Sequence, residues 1–194
     1  MRAYIKVLAA GSLSALVFAA SAGAQTIAIT GGTVYPVSGP KIEHGTVVIA
    51  NGKVVAVGAS VPIPAGATRI DATGKWVTPG LFNAATSLGL AEGNPGSGGY
   101  SEGRAKGEQG VAASFNAWEG MNPASTFIPA TRKDGITTAM VEPSPGDIIS
   151  GRAAVVDLNG ETVASMLVRA PVAMMATLTQ GADARGEQYE HLRA

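Results

Sequence analysis

The sequence predicts a mixed α/β fold, in which a small module of antiparallel strands precedes alternating strands and helices. Between residues 26 and 77, short β-branched runs are separated by turns. In GTVVIANGKVVAVG, Asn51 and Gly52 tolerate the positive φ angles of a two-residue hairpin. After residue 77 the pattern changes to apolar runs on either side of a helical segment, which is typical of parallel strands joined by a crossover.

The crossover pattern has three parts. Residues 77–90 (VTPGLFNAATSLGL) predict the first strand. A helix of about ten residues is predicted from Asn122-Pro123, because proline is tolerated in a first turn, and it ends at Asp134-Gly135. The β-branched run ITTAMVEPS then predicts the second strand.

The remaining segments are less regular. The glycine-rich residues 93–110 predict a long loop. Pro143 stops the second strand, and two further apolar runs follow it. Residues 163–167 fit either a strand or a short helix, because an apolar run alone does not separate the two.

The N-terminus has the pattern of a secretory signal peptide. Arg2 and Lys6 precede an apolar run over residues 7–20, and small residues lead up to a predicted cleavage after Ala24. The run is shorter than the roughly 20 residues that span a bilayer. We therefore expect a secreted protein, located in the periplasm, with no membrane span after cleavage.

Composition excludes several classes of function. Cleavage leaves 12 basic and 14 acidic residues, a formal charge of −2, which favours neither nucleic acid nor an anionic membrane as a partner. The chain has no cysteine, so thiolate metal sites, cysteine nucleophiles and disulfides are excluded.

Four segments carry a family resemblance: ITGGTVYPVSG, GTVVIANGKVVAVG, IDATGKWVTPGLFNAATSLGL and DGITTAMVEPSPGDIISGRAAVVDLNG. In this order they resemble the N-terminal part of the amidohydrolase superfamily, in its imidazolonepropionase-like group of periplasmic metal-dependent hydrolases. The resemblance implies a small N-terminal antiparallel β-sandwich, the composite domain, followed by the first βα units of an incomplete TIM-like barrel. The predicted domains are a signal peptide (1–24), the composite domain (25–77) and a partial barrel (78–194). A complete barrel needs at least roughly 200 residues, more than the mature chain supplies.

The resemblance also implies a chemistry, metal-dependent hydrolysis of C–N bonds other than peptide bonds, with divalent metal that is usually zinc. The family carries a His-x-His pair after Pro-Gly-Leu, and here Ala85 and Ser87 occupy those two positions. Strand side chains alternate, so the two positions are expected on one side. Alanine offers no donor atom and a neutral hydroxyl is a poor zinc ligand. We therefore predict no catalytic, cofactor or metal residue, no cofactor, and no activity for this chain alone.

Other candidate sites are weak. His44 is expected at the surface near a turn and His191 on a polar segment. Residues 99–103 match Gly-x-Ser-x-Gly but lack the preceding strand and following helix of a nucleophile elbow. The charges in or beside the predicted loop are most simply solvated: Glu92, Glu102, Arg104, Lys106 and Glu108. Glu142 lies among methionines expected as core fillers: Met140, Met166, Met174 and Met175.

Three hypotheses follow. The chain is a catalytically degenerate amidohydrolase or a fragment of one. Alternatively, it is half of a hydrolase that a second amidohydrolase chain or fragment completes. The third hypothesis is a non-catalytic periplasmic binding or interaction module.

Overall fold

The computed structural model describes residues 26–92, 100–105, 107, 111–146, 148–177, 189, 190 and 193. The chain divides into two compact units, Met1–Pro79 and Gly80–Ala194. Strands in sheets dominate both, with a few short helices in the second, so the predicted mixed α/β class is confirmed. The predicted signal peptide lies outside the described residues.

The first unit contains one five-stranded sheet. Its strands are β1 (Ile27–Val34), β2 (Ile42–Ala50), β3 (Lys53–Gly58), β4 (Thr68–Asp71) and β5 (Trp76–Val77). The order is β3-β2-β1-β4, and β5 also pairs with β1. The hairpin between β2 and β3 turns at Asn51 and Gly52, with φ angles of 54° and 71°, which confirms the Asn-Gly prediction.

This sheet is mixed, and the prediction of a purely antiparallel module is wrong. β1 pairs antiparallel with β2 but parallel with both β4 and β5. The cause is the connection over residues 59–67, which is long enough to carry the chain across the sheet to the free edge of β1. Thr68 and Ala72 donate backbone hydrogen bonds there, to Thr26 and Thr30, at 2.8 Å each. The second sheet that a sandwich requires is not among residues 26–79.

One face of this sheet is an apolar row across four strands. Directly paired residues lie on the same face, and the pairings align Val57, Val47, Ile29 and Ile70. Val47 is buried in the middle, whereas Val57 and Ile70 at the ends are 41% and 47% exposed. The opposite face contains the fully buried Ala28. The apolar row is thus only partly covered.

The second unit contains a four-stranded and a two-stranded sheet among its described residues. Its strands are β6 (Leu81–Thr86), β7 (Ala91–Glu92), β8 (Tyr100–Ser101), β9 (Ile136–Val141), β10 (Ile149–Asp157) and β11 (Leu167–Ala176). The helices are a 3-10 helix (Ala117–Gly120), α1 (Phe127–Lys133) and α2 (Val163–Met166). β7 and β8 pair antiparallel, so residues 100 and 101 of the predicted long loop form a short strand.

The β6–α1–β9 segment is a βαβ unit. Leu81 lies opposite Ile136 and Thr86 opposite Val141 in a parallel pair, which confirms the predicted parallel neighbours. From β9 onward the pairing is antiparallel, in the order β11-β10-β9-β6. Residues 142–148 are too short for a crossover, which needs a dozen or more residues. The prediction of several βα units is therefore corrected to one within the described residues.

Helix α1 begins later than predicted. Asn122 forms a turn instead, because its Oδ1 accepts from the backbone N–H of Ala124 at 3.0 Å and its carbonyl accepts from Ser125 at 3.2 Å. The helix starts at Phe127 and ends at Lys133. Asp134 and Gly135 follow as predicted, and Gly135 has a φ of 90°.

Residues 163–167 combine both predicted alternatives. α2 ends at Met166 and β11 begins at Leu167. A capping box starts the helix: the Thr162 side chain accepts from the backbone N–H of Ser165, and the Ser165 side chain accepts from that of Thr162, both at 3.1 Å. The box gives the N–H of Thr162 an acceptor and the N–H of Ser165 a second acceptor beside the Thr162 carbonyl, which supports a helix of only one turn.

The core of the second unit lies between the helices and one face of the larger sheet. It contains Leu90, Ala117, Met121, Ile128, Ala139, Val141, Val156, Leu158 and Met166. Met166 is fully buried, as expected for a core filler, whereas Met174 is 51% exposed and is not one. Among the described residues, no helix is both long and apolar enough to cross a membrane.

The glycine of the Pro-Gly-Leu motif, Gly80, has a steric role. A Cβ at this position would overlap the Thr137 side chain on β9. The close approach lets the backbone N–H of Leu81 donate to the carbonyl of Gly135 at 2.9 Å. Glycine is therefore required where the chain enters β6.

Candidate functional site

Ala85 and Ser87 lie at the carboxyl end of β6, and both are exposed. The pairing advances three residues on β6, from Asn83 to Thr86, against two on β9. One extra residue in a strand is a bulge, which interrupts the alternation of side chains. β6 ends at Thr86, so no regular strand supports the expectation that Ala85 and Ser87 share one side.

The polar side chains beside these positions bond to the local backbone. Asn83 Oδ1 accepts from the N–H of Ala85 at 3.1 Å, and Thr86 Oγ1 accepts from the N–H of Leu88 at 3.2 Å. The carbonyl of Ser87 accepts from the N–H of Leu90 at 2.9 Å. These bonds shape the turn after β6 and leave the exposed Ser87 hydroxyl as a neutral polar group at its start.

Glu142 is an acidic residue beside this end of β6, and sequence reasoning assigned it to no site. It follows β9 directly, and its backbone N–H donates to the carbonyl of Thr86 at 3.0 Å. Burial raises the pKa of its carboxyl above the usual value. The sequence feature that could have identified Glu142 is its position, because it is an acidic residue immediately after a strand that pairs in parallel with β6.

Two acidic residues in or beside the predicted loop form hydrogen bonds within the second unit. The N–H of Glu102 donates to the carbonyl of Leu90 at 2.7 Å, and Glu92 Oε1 accepts from Asn122 Nδ2 at 3.1 Å. Glu102 and Arg104 are exposed, as predicted for solvated charges. Lys106 and Glu108 lie outside the described residues.

The other candidate residues differ from their predicted local geometry or lie outside the described residues. His44 is exposed on β2 with a φ of 51°, at a bulge and not at a turn before the strand. His191 and Gly99 lie outside the described residues. Ser101 ends the two-residue strand β8, and no helix follows it, so the elbow geometry is absent from this described segment.

The residues at this edge do not fit a zinc ion. Ala85 ends in a methyl group, Ser87 in a neutral hydroxyl, and Glu142 supplies one carboxylate, whereas a zinc site needs at least three nitrogen, sulfur or carboxylate ligands. No group of three histidine, aspartate or glutamate side chains in the described part of the chain could hold a metal ion.

The chain is similar to several hydrolases of known structure or sequence. An amidohydrolase from Thermotoga maritima superposes over 86% of this chain and 42% of its own, with 26% identity and a TM-score of 0.69. Imidazolonepropionase from Bradyrhizobium diazoefficiens is 43% identical over 51 residues, 25% of this chain and 13% of that protein. Molinate hydrolase overlaps more briefly, with 35% identity over 35% of this chain and 15% of its own, and a TM-score of 0.32. No protein-family model matches.

The fold is therefore similar to that of an amidohydrolase. The chain resembles the N-terminal part of the amidohydrolase superfamily, as its sequence motifs predicted. It spans less than half the length of the Thermotoga maritima amidohydrolase.

Proposed function

We propose that this chain is an amidohydrolase-derived protein that does not hydrolyse C–N bonds on its own. The observation that supports the proposal is the pair Ala85 and Ser87 at the carboxyl end of β6, where the family's His-x-His ligands are expected. A metal activates water only if several ligands hold it with an open position for that water. A methyl group, a hydroxyl and the carboxylate of Glu142 do not provide such a set.

We propose that both units derive from the amidohydrolase architecture. The sheet of the first unit is one layer of the composite β-sandwich, and β6–α1–β9 is the first unit of an incomplete TIM-like barrel. The coverage of 42% of the Thermotoga maritima amidohydrolase supports a fragment. Sequencing of the downstream DNA tests this: a continuation encoding later barrel strands is expected, and unrelated DNA argues against a fragment.

We further propose export to the periplasm, with cleavage after Ala24. The support is the sequence pattern of residues 1–24. N-terminal sequencing of the protein from a periplasmic extract should begin at Gln25. Recovery of the intact N-terminus from the cytoplasm would contradict export.

The lack of hydrolysis is tested on the mature chain. We expect elemental mass spectrometry of the purified protein to find no stoichiometric zinc. We also expect no turnover of imidazolone propionate, hydantoin or p-nitroacetanilide. Imidazolonepropionase is the positive control for the first substrate. Zinc at one equivalent, with turnover that chelation abolishes, would refute the proposal.

The histidine replacement is a sharper test. The double variant Ala85→His and Ser87→His restores the family motif but not the later ligands. We expect no turnover, because two imidazoles alone do not complete a catalytic zinc site. Turnover by this variant would show that the rest of the site is present.

A second candidate function is a hydrolase completed by another amidohydrolase chain. The incomplete coverage of the relative favours it. Native mass spectrometry of the protein purified from its own cells should then show a stable complex whose partner carries the missing ligands. A folded monomer argues against this candidate.

A non-catalytic interaction module is the third candidate, favoured by the partly covered apolar row of the first unit. Affinity purification from a periplasmic extract should retain a partner, and Val57→Lys in the apolar row should release it. Loss of the partner only with Val37→Lys, outside the row, contradicts this candidate.

A further inference from the structure

A depression on the second unit combines one cation with an apolar wall. Its volume is about 250 Å3, and Arg152 of β10 lines it together with Pro171, Val172, Ala173 and Met174 of β11. Arg152 and Met174 are directly paired across the two strands. Their side chains therefore lie on one face, within reach of the same small molecule.

The backbone and side chain of Arg152 are held in place. Its backbone N–H donates to the carbonyl of Phe115 at 2.8 Å, and its Nε donates to the carbonyl of Ala113 at 2.8 Å. Both acceptors belong to a segment that bridges to the start of β10, with Asn116 opposite Arg152. An anchored guanidinium loses less freedom when it binds a ligand.

Arg152 forms no ion pair with the described residues. Its Nε donates to a neutral carbonyl, and the ion pair that the described residues do form joins Lys41 to Glu43. A guanidinium has five N–H donors, and the Nε bond uses one of them. The four donors on the two Nη atoms form the planar pattern that matches a carboxylate.

We propose that Arg152 and the Pro171, Val172, Ala173 and Met174 run form a binding site for a small monocarboxylate with a short apolar body. The carboxylate pairs with the guanidinium, and the hydrocarbon lies on the β11 wall. The volume is below the roughly 300 to 1,000 Å3 of sites for drug-sized molecules, which restricts the ligand to a smaller one. The described residues that line the depression include no second cation, so they offer a phosphate dianion no further charged donor. This site is independent of whether the chain hydrolyses anything.

The probe is hexanoate, titrated into the mature chain and followed by backbone amide shifts in NMR spectra, with hexanamide as its uncharged counterpart. Saturable hexanoate binding is expected, with hexanamide at least about tenfold weaker, because a hydrogen bond to a charged group contributes at least that much. The largest changes in amide chemical shift should occur at residues of β11. The absence of saturable binding, or equal binding of the two probes, overturns the proposal.

Two pairs of variants separate charge from folding. Arg152→Met should weaken hexanoate binding at least about tenfold, whereas Arg169→Met, an exposed arginine on β11, should leave it unchanged. Met174→Glu places a competing carboxylate opposite Arg152 at an exposed position. It should weaken hexanoate binding more than Met174→Gln, which removes the same apolar contact without adding a charge. If Arg152→Met does not fold, the Met174 pair decides. Equal binding by the Glu and Gln variants overturns the proposal.

Discussion

The backbone N–H of Glu142 donates to the carbonyl oxygen of Thr86 at 3.0 Å. This bond joins the residue after β9 to the last residue of β6. It places a carboxyl with a pKa raised by burial at the end of the sheet where Ala85 and Ser87 lie. The ends of these two parallel strands therefore bring Glu142 to the positions where the family's His-x-His ligands are expected.

Glu142→Gln should change how stability depends on pH. Burial disfavours the charged carboxylate, so the pKa of Glu142 in the folded chain lies above its usual 4.5. The folded state then binds the proton more tightly than the unfolded state, and the stability contributed by Glu142 declines as pH rises from 4.5 through the raised pKa. The variant lacks this decline.

Urea unfolding of both proteins at about pH 4 and about pH 7 measures the effect. The variant should gain stability relative to the wild type between these two values. A constant difference, or a loss relative to the wild type at the higher pH, contradicts the prediction.

Gly80→Ala should destabilise the second unit by about 1–3 kcal/mol, because the added Cβ overlaps the Thr137 side chain. Thr137→Gly removes the overlapping atoms, so a double-mutant cycle should show favourable coupling between the two changes. Gly39→Ala is the matched control, since no atom lies within 4 Å of its new Cβ. Additive effects at positions 80 and 137 would rule out the overlap as the cause.

Met166→Ala should cost about 2–5 kcal/mol of unfolding free energy, because the side chain is fully buried and its removal leaves a cavity. Met174→Ala, at a half-exposed position on β11, should change stability by less than about 0.5 kcal/mol. Urea denaturation of the two variants provides the comparison. Similar losses would mean that Met166 is not part of the core.

Thr73→Val should raise the pKa of Asp71 toward its usual 3.8. The Thr73 hydroxyl donates to Asp71 Oδ1 at 2.6 Å and lowers that pKa most, and the Thr73 backbone N–H, at 2.9 Å, lowers it further. The variant keeps the backbone bond, so part of the shift remains. The stability linked to Asp71 is present above pH 3.8 and is lost as pH falls through the lowered pKa.

Carboxyl carbon shifts in an NMR titration report the pKa of Asp71 directly. Thr33→Val is the control, because the Thr33 hydroxyl donates to Glu43 and not to Asp71. An unchanged Asp71 pKa in the Thr73 variant would falsify the role of the hydroxyl.

Local features of the fold could be predicted from sequence because neighbouring residues determine them. Asn51 and Gly52 set the hairpin through their own φ angles, and Asp134-Gly135 ended α1. The parallel β6–β9 pair followed from a helix between two strands. The start of α1 was placed too early, because the Asn122 side chain bonds its own turn and displaces the helix to Phe127.

Features that depend on distant pairing could not be predicted. The path of β4 and β5 to the free edge of β1 depends on where residues 59–67 carry the chain, which no local pattern encodes. The proximity of Glu142 to the Ser87 end of β6 has the same origin. The bulge between Asn83 and Thr86 also depends on the register with β9.

The order β11-β10-β9-β6 has a consequence for how the second unit assembles. β9, β10 and β11 are sequence neighbours, so their pairing closes only short loops. β6 reaches β9 only after the chain closes a loop of roughly fifty residues, a larger loss of chain entropy. We therefore expect the three-stranded meander to form first and β6 to dock last. Amide hydrogens of β6 should accordingly exchange with solvent faster than those of β10, through openings that leave the meander intact.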